Sequence, residues 1–114
     1  MRFFRSALAA LAADIALAAS AQAPSPPEAF LRADKGHCIA CHQLPQGHGP
    51  VSRADLGTKL EGTRMRAIGR EGLRQAIADP PRVNADTLMP PFGRHRILES
   101  WEIETLVDYL HALP

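Results

Sequence analysis

The chain has 114 residues, a formal net charge of +1 and two cysteines. Its length predicts one small domain, and its nearly neutral charge argues against a nucleic-acid-binding protein. One Trp, one Tyr and four Phe offer few large side chains for a core, and domains of this size often depend on a staple, a metal or a cofactor.

The N-terminus has the pattern of a secretory signal peptide. Two arginines among the first five residues precede a run of mostly Ala and Leu over residues 7–19, and Ala21-Gln22-Ala23 has the small-x-small form that precedes cleavage. The apolar run is shorter than the ~20 residues that cross a bilayer. We therefore predict a signal peptide over residues 1–23 and a mature domain over residues 24–114 without a membrane span. A retained amphipathic helix is the alternative.

A short helix is predicted over residues 28–35, because Pro26 and Pro27 suit its first positions and Gly36 suits its end. This helix delivers the chain into the most informative stretch of the sequence. The stretch is Cys38-Ile39-Ala40-Cys41-His42, which reads C-x-x-C-H.

The C-x-x-C-H pattern is the attachment signature of a c-type haem. In such a site two thiols bond to the vinyl groups of the porphyrin, and the histidine supplies one axial nitrogen to the iron. Two intervening residues allow one turn of backbone to present all three groups to one face of the ring. We therefore predict one covalent haem c held by Cys38, Cys41 and His42.

Three other interpretations of this motif are a structural disulfide, a thioredoxin-like redox pair and a zinc site. A thioredoxin-like pair is typical of a βαβ context, and the sequence has no strand pattern. Zinc takes four ligands, whereas the chain has no second cysteine pair. An oxidising compartment would favour a disulfide, but covalent haem attachment also takes place outside the bacterial cytoplasm. The predicted location is therefore the periplasm, with the disulfide as a transient.

Residues 43–57 are predicted to form a loop that contains Gly49-Pro50. A histidine ligand normally donates its second ring N–H to a fixed acceptor, often a backbone carbonyl. The carbonyl of Pro50 is the candidate acceptor for His42, and an ordinary turn is the alternative interpretation of the Gly-Pro pair.

Two helical stretches are predicted next, a weak one over residues 59–69 and a stronger one over residues 70–79. The second has a narrow apolar stripe, and Pro80 and Pro81 are expected to stop it. The stripe consists of Leu73, Ala76 and Ile77.

A last helix is predicted over residues 100–113 with Ser100 as its N-cap. Apolar residues at helical spacing predict one buried face. They are Ile103, Leu106, Val107 and Leu110. The predicted architecture is therefore all-α, a small bundle of helices around one covalently bound haem.

Met89 is the preferred candidate for the other axial ligand. It lies in Leu88-Met89-Pro90-Pro91-Phe92, where two prolines restrict the backbone after it. A thioether ligand stabilises ferrous iron and raises the reduction potential, and Phe92 could cover the haem edge. Met65 is a weaker candidate, since it lies between two arginines on a helix expected to be solvated. The histidine candidates are His37, His48, His95 and His111, with His95 the strongest because it shares the loop of Met89.

These features resemble those of class I cytochromes c, and the sequence motifs are most similar to those of the SoxX family. Residues 36–42 resemble the family pattern G-N-C-x-A-C-H, with His37 in place of Asn, and Gly49-Pro50 also matches. Residues 86–98 match best, since Met-Pro-Pro-Phe-Gly is followed by a short basic stretch and Ile-Leu. The resemblance covers residues 36–113, although its middle part is only loosely matched.

The resemblance implies a function that spacing does not. SoxX proteins are subunits of the SoxAX complex, an L-cysteine S-thiosulfotransferase of periplasmic thiosulfate oxidation. A SoxA-like cytochrome carries the catalytic haem, and the complex couples thiosulfate to the SoxYZ carrier. The SoxX subunit accepts the electrons and passes them to a small soluble cytochrome c.

Applied to this chain, the resemblance implies that Cys38 and Cys41 hold the haem, that His42 and Met89 ligate the iron, and that no residue here is catalytic. The alternative function is a free-standing periplasmic cytochrome c that carries electrons for another redox chain.

The charges are unevenly distributed along the sequence. Residues 53–82 contain seven basic and four acidic residues, whereas residues 99–108 contain four acidic residues and no basic one. This asymmetry could orient docking, but such runs are more often solvated helix faces, and we favour that interpretation.

Overall fold

The structure, a computed structural model, describes residues 24–114. The predicted signal peptide lies outside the described residues. Within residues 24–114 the regular elements are helical and none is a strand, which confirms the all-α prediction. They are α1 (Glu28–Leu31), a 3₁₀ turn (Cys38–Ala40), α2 (Gly62–Ala78), α3 (Pro80–Val83) and α4 (Ser100–His111). None of the helices in this range is long and apolar enough to cross a membrane.

The two long helices, α2 and α4, pack against each other and form most of the core. The predicted apolar face of α4 is fully buried, and Leu73 and Ile77 of α2 are buried as well. Both faces follow the 3.6-residue period that the sequence predicted. The buried apolar residues are Ala29, Phe30, Leu60, Met65, Leu73, Ile77, Phe92, Leu98, Ile103, Leu106, Val107, Tyr109, Leu110 and Leu113.

Helix α2 is kinked at Gly69, which has φ 78° and ψ 163°. The sequence predicted two helical stretches that meet at this residue, and the structure confirms a break there. Only glycine adopts this backbone region readily, because a Cβ atom clashes with the neighbouring peptide groups. The kink therefore divides α2 into two straight parts that can follow different directions.

The acidic residues of α4 and the basic residues of α2 pair with each other. Arg70 bonds Asp108, and the Arg74 guanidinium donates to Glu104 with an Nη2–Oε2 distance of 2.8 Å. The hydrogen bond from Arg74 lowers the pKa of the Glu104 carboxyl. Several of the unevenly distributed charges therefore pair with each other within the molecule. Exposed pairs of this kind stabilise a fold only weakly.

Helix α1 is shorter than predicted. It ends at Leu31, and residues 33–36 form turns. Beyond the extended C-cap Arg32, the Lys35 ammonium lies 2.9 Å from a carboxylate oxygen of Glu102 on α4. Phe30 is fully buried and contacts the Tyr109 ring edge-on at 5.9 Å between centroids. One aromatic side chain thus anchors α1 to α4.

The predicted N-cap of α4 was wrong, whereas the predicted end of α2 is confirmed. Glu99, and not Ser100, is the N-cap of α4, since the Glu102 carboxylate reaches back and accepts the Glu99 N–H at 2.8 Å. That hydrogen bond and Lys35 lower the pKa of buried Glu102. Pro80 and Pro81 stop α2 as predicted, since it ends at Ala78, and they also begin the short helix α3, because proline suits the first turn of a helix.

Candidate functional site

An apolar cleft opens between α2, α4 and the turn that contains the two cysteines. Its water-accessible volume is about 120 Å³, and it continues into open solvent at its mouth. Three of the four predicted site residues line it, namely Cys38, His42 and Met89. The remaining lining residues are Phe30, Thr58, Leu60, Met65, Ile68, Leu73, Ala76, Ile77, Leu106 and Leu110.

The 3₁₀ turn explains why Cys38 and His42 share this cleft. The Cys38 carbonyl accepts N–H groups from both Cys41, at 3.1 Å, and His42, at 2.9 Å. This tight turn brings the fifth residue of the motif back over the first. Cys41, the remaining predicted site residue, is half-buried beside the cleft and does not line it.

Both cysteines are free thiols, so no disulfide joins them. Burial raises the pKa of the Cys38 thiol to about 11, because an apolar environment disfavours the thiolate. The Cys38 side chain is therefore a neutral group on the wall of the cleft at neutral pH.

The imidazole of His42 is fixed by one hydrogen bond. Its Nδ1 lies 2.7 Å from the carbonyl oxygen of Thr58. A carbonyl only accepts, so Nδ1 carries the proton and Nε2 keeps its lone pair for another partner. The histidine is thus held in the tautomer that a metal ligand needs.

The predicted acceptor, Pro50, was wrong. Residues 57–60 lie beside the C-x-x-C-H motif, since Gly57 N–H donates to the Cys41 carbonyl at 2.8 Å and Leu60 N–H donates to the Gln43 carbonyl at 2.9 Å. This pairing places the Thr58 carbonyl at the ring, whereas Pro50 lies on the exposed part of the loop. Sequence reasoning missed Gly57 and Thr58, and the glycine at the end of the predicted loop was their only signal.

Met89 reaches the cleft from the segment between α3 and α4. Its backbone N–H donates to the Thr87 hydroxyl at 3.1 Å. After the two prolines, the N–H groups of Gly93 and Arg94 both donate to the Ala78 carbonyl at 3.0 Å. The half-buried Met89 side chain, which packs against the core, is therefore carried by a segment that is fixed to the end of α2.

Met65 was expected on a solvated helix, and this expectation was wrong. Its side chain is only 2% exposed and lines the same cleft as Met89. Arg64 and Arg66 point outward, but a residue between them on a helix lies about 100° from each, which here is the core side. The cleft therefore contains two thioether side chains.

The other predicted neighbours of the site lie elsewhere. Phe92 was expected at the edge of the haem but is buried in the core and does not line the cleft. His95, the strongest histidine candidate, is exposed and is also absent from the lining. A larger crevice of about 370 Å³ lies within the loop of residues 43–61 and contains none of the predicted site residues.

The donor set of the cleft is compatible with a haem c. A haem iron takes one or two axial ligands from the protein, and one imidazole and two thioethers are available here. Within residues 24–114, no group of three or more His, Cys, Asp or Glu side chains is placed to hold a metal ion. Comparison with known proteins found no matching family model, no matching curated protein and no matching solved structure.

Proposed function

We propose that this chain is an electron-transfer cytochrome with one haem c attached through Cys38 and Cys41. The observation that carries the proposal is that Met89 lines the same apolar cleft as Cys38 and His42, which are distant from it in the sequence. A flat apolar cofactor is well suited to walls made of aliphatic and aromatic side chains. The C-x-x-C-H spacing supplies the chemical reason for attachment.

In this proposal His42 and Met89 would bind the iron of the haem. The Thr58 carbonyl holds the His42 proton on Nδ1, which leaves Nε2 free to ligate. The hydrogen bonds of Thr87 and Ala78 hold the Met89 segment in place. The apolar walls exclude water, and a low dielectric favours the less charged, reduced state of a redox centre. When bound, the haem supplies a reversible one-electron couple.

We further propose that the chain is the SoxX-like subunit of a SoxAX-type complex in the periplasm, and that catalysis takes place on a SoxA-like partner. The resemblance of residues 36–113 supports this assignment. Leu88, next to Met89, is 87% exposed, and Ile68 on the wall of the cleft is 44% exposed. Exposed aliphatic side chains near a redox site fit a lasting interface with an apolar centre. The SoxYZ carrier would then be reached through the complex, and a small soluble cytochrome c would be the electron acceptor.

The second candidate function is a free-standing electron carrier. It is favoured by the exposed His95 and Arg96 in the Met89 segment, next to Arg94, which lies 3.8 Å from Asp79. A positively charged turn near a redox centre fits transient docking with an acidic partner.

Affinity purification of the full chain from thiosulfate-grown cells distinguishes the two functions. The subunit proposal predicts recovery of a second haem-staining protein at equal stoichiometry, retained in high salt. Leu88→Glu should release this protein, because a charge at an apolar interface is costly. Val51→Glu is the control, since Val51 is 94% exposed but, unlike Leu88, is not next to a residue that lines the cleft. Recovery of a lone monohaem monomer would contradict the subunit proposal and support the free carrier.

A further inference from the structure

The imidazole of His42 rests on the backbone of Gly57. A Cβ atom at position 57 would lie 2.5 Å from Cε1, 2.6 Å from Nδ1 and 2.8 Å from Nε2 of the His42 ring. Non-bonded carbon atoms prefer separations of ~3.5–4.0 Å. A side chain of any kind at this position would therefore overlap three atoms of the imidazole.

The clash could be relieved only if the ring or the backbone moved, and both are tied. The ring is held by the 2.7 Å hydrogen bond from Nδ1 to the Thr58 carbonyl. The backbone of Gly57 is held by the 2.8 Å hydrogen bond from its N–H to the Cys41 carbonyl. Hydrogen bonds to Cys41 and Thr58 thus hold both the glycine backbone and the imidazole in place.

We infer that Gly57 is a positioning residue that sets the orientation of the His42 imidazole. It thereby sets the direction in which Nε2 points toward the group that it binds. This inference rests on the proposed function, in which Nε2 binds the haem iron. The Thr58 carbonyl fixes which nitrogen carries the proton, and the bare α-carbon of Gly57 fixes the plane in which the ring lies. A methyl group at position 57 would tilt the ring and weaken the axial bond.

The test compares Gly57→Ala with Gly49→Ala in the haem-loaded full chain. Gly49 is an equally crowded glycine, since a Cβ there would lie 2.6 Å from Leu44 Cδ1 and 2.9 Å from Pro26 Cγ, away from the imidazole. Both variants should keep covalent haem and lose some thermal stability. Only Gly57→Ala should shift the reduction potential and increase the high-spin fraction in the electronic spectrum. A Gly57→Ala spectrum and potential equal to those of wild type, or of Gly49→Ala, would overturn the inference.

A double-mutant cycle keeps the test decisive if Gly57→Ala folds poorly. In a His42→Ala background the ring is gone, so Gly57→Ala should cause no further loss of the unfolding midpoint. An equal loss in both backgrounds would show that Gly57 acts through other contacts. A wild-type chain without covalent haem would instead refute the proposed function, so the two failures are distinguishable.

Discussion

The position of the Met89 sulfur in the proposed site depends on a few backbone hydrogen bonds. Thr87 fixes its backbone on one side, and the Ala78 carbonyl fixes the chain beyond the prolines. Met65 lines the same cleft but belongs to α2, where its side chain fills the core. The two methionines therefore have different expected roles, one as a ligand and the other as packing.

Replacing each methionine by alanine separates these roles. Met89→Ala should leave covalent haem in place, open the sixth position to added ligands and lower the reduction potential by about 0.2 V, a fraction of the ~0.8 V that axial ligands control. Met65→Ala should keep the potential and the spectrum but lower the free energy of unfolding by roughly 2–5 kcal/mol, as buried Met-to-Ala changes do. Ligand titration, potentiometry and denaturant unfolding measure these effects. If Met65→Ala opens the sixth position and Met89→Ala does not, Met65 is the ligand.

The sequence predicted the candidate site residues, three of which line one cleft, but not the contacts that hold each of them. Cys38, His42 and Met89 follow from a motif and from local composition, which can be recognised without knowing the tertiary contacts. The Thr58 acceptor and the burial of Met65 depend on which distant segments pack together. Local spacing carries no information on such contacts, so Pro50 and a solvated Met65 were predicted instead.

At the scale of elements, the kink in α2 shapes the cleft. The part before Gly69 places Met65 and Ile68 on its wall, and the part after it places Leu73 and Ile77 there. A straight helix would rotate one of these pairs away. The break was predictable because glycine is a weak helix former, whereas the Lys35–Glu102 pair after the early end of α1 was not, because it joins distant parts of the chain.

The kink at Gly69 predicts whether a Gly-to-Ala change there stabilises or destabilises the fold. Gly-to-Ala changes in the interior of a helix usually stabilise it by ~0.5–1 kcal/mol. Gly69→Ala should instead lower the free energy of unfolding by about 1–3 kcal/mol, since φ 78° and ψ 163° is a region that alanine rarely adopts. Chemical denaturation of the two proteins measures the difference. A gain in stability would contradict a kinked α2.

At the scale of the whole molecule, the basic residues of α2 pair with the acidic residues of α4. Arg70 and Arg74 bond acidic residues of α4 and Arg94 lies 3.8 Å from Asp79, whereas Arg96 in the Met89 segment is exposed. The helical fold and the long core helices were predictable from periodicity. The pairing of these charges was not, because it depends on the packing of α2 against α4.

The central claim is that the chain binds one haem covalently through Cys38 and Cys41, and that the haem fills the apolar cleft. Without it, the mouth of the cleft is open to solvent, and Ile68 on its wall is 44% exposed. The Cys38→Ser, Cys41→Ser double variant should therefore be largely unfolded as well as free of haem, because the cleft loses the group that covers its walls.

The most direct test is the intact mass of the denatured full chain after export to a bacterial periplasm with haem-attachment machinery. We predict a mass increase of one haem over the signal-cleaved chain, and no increase in the double serine variant. An unmodified wild-type mass, or a haem adduct that persists in the double variant, would contradict the account.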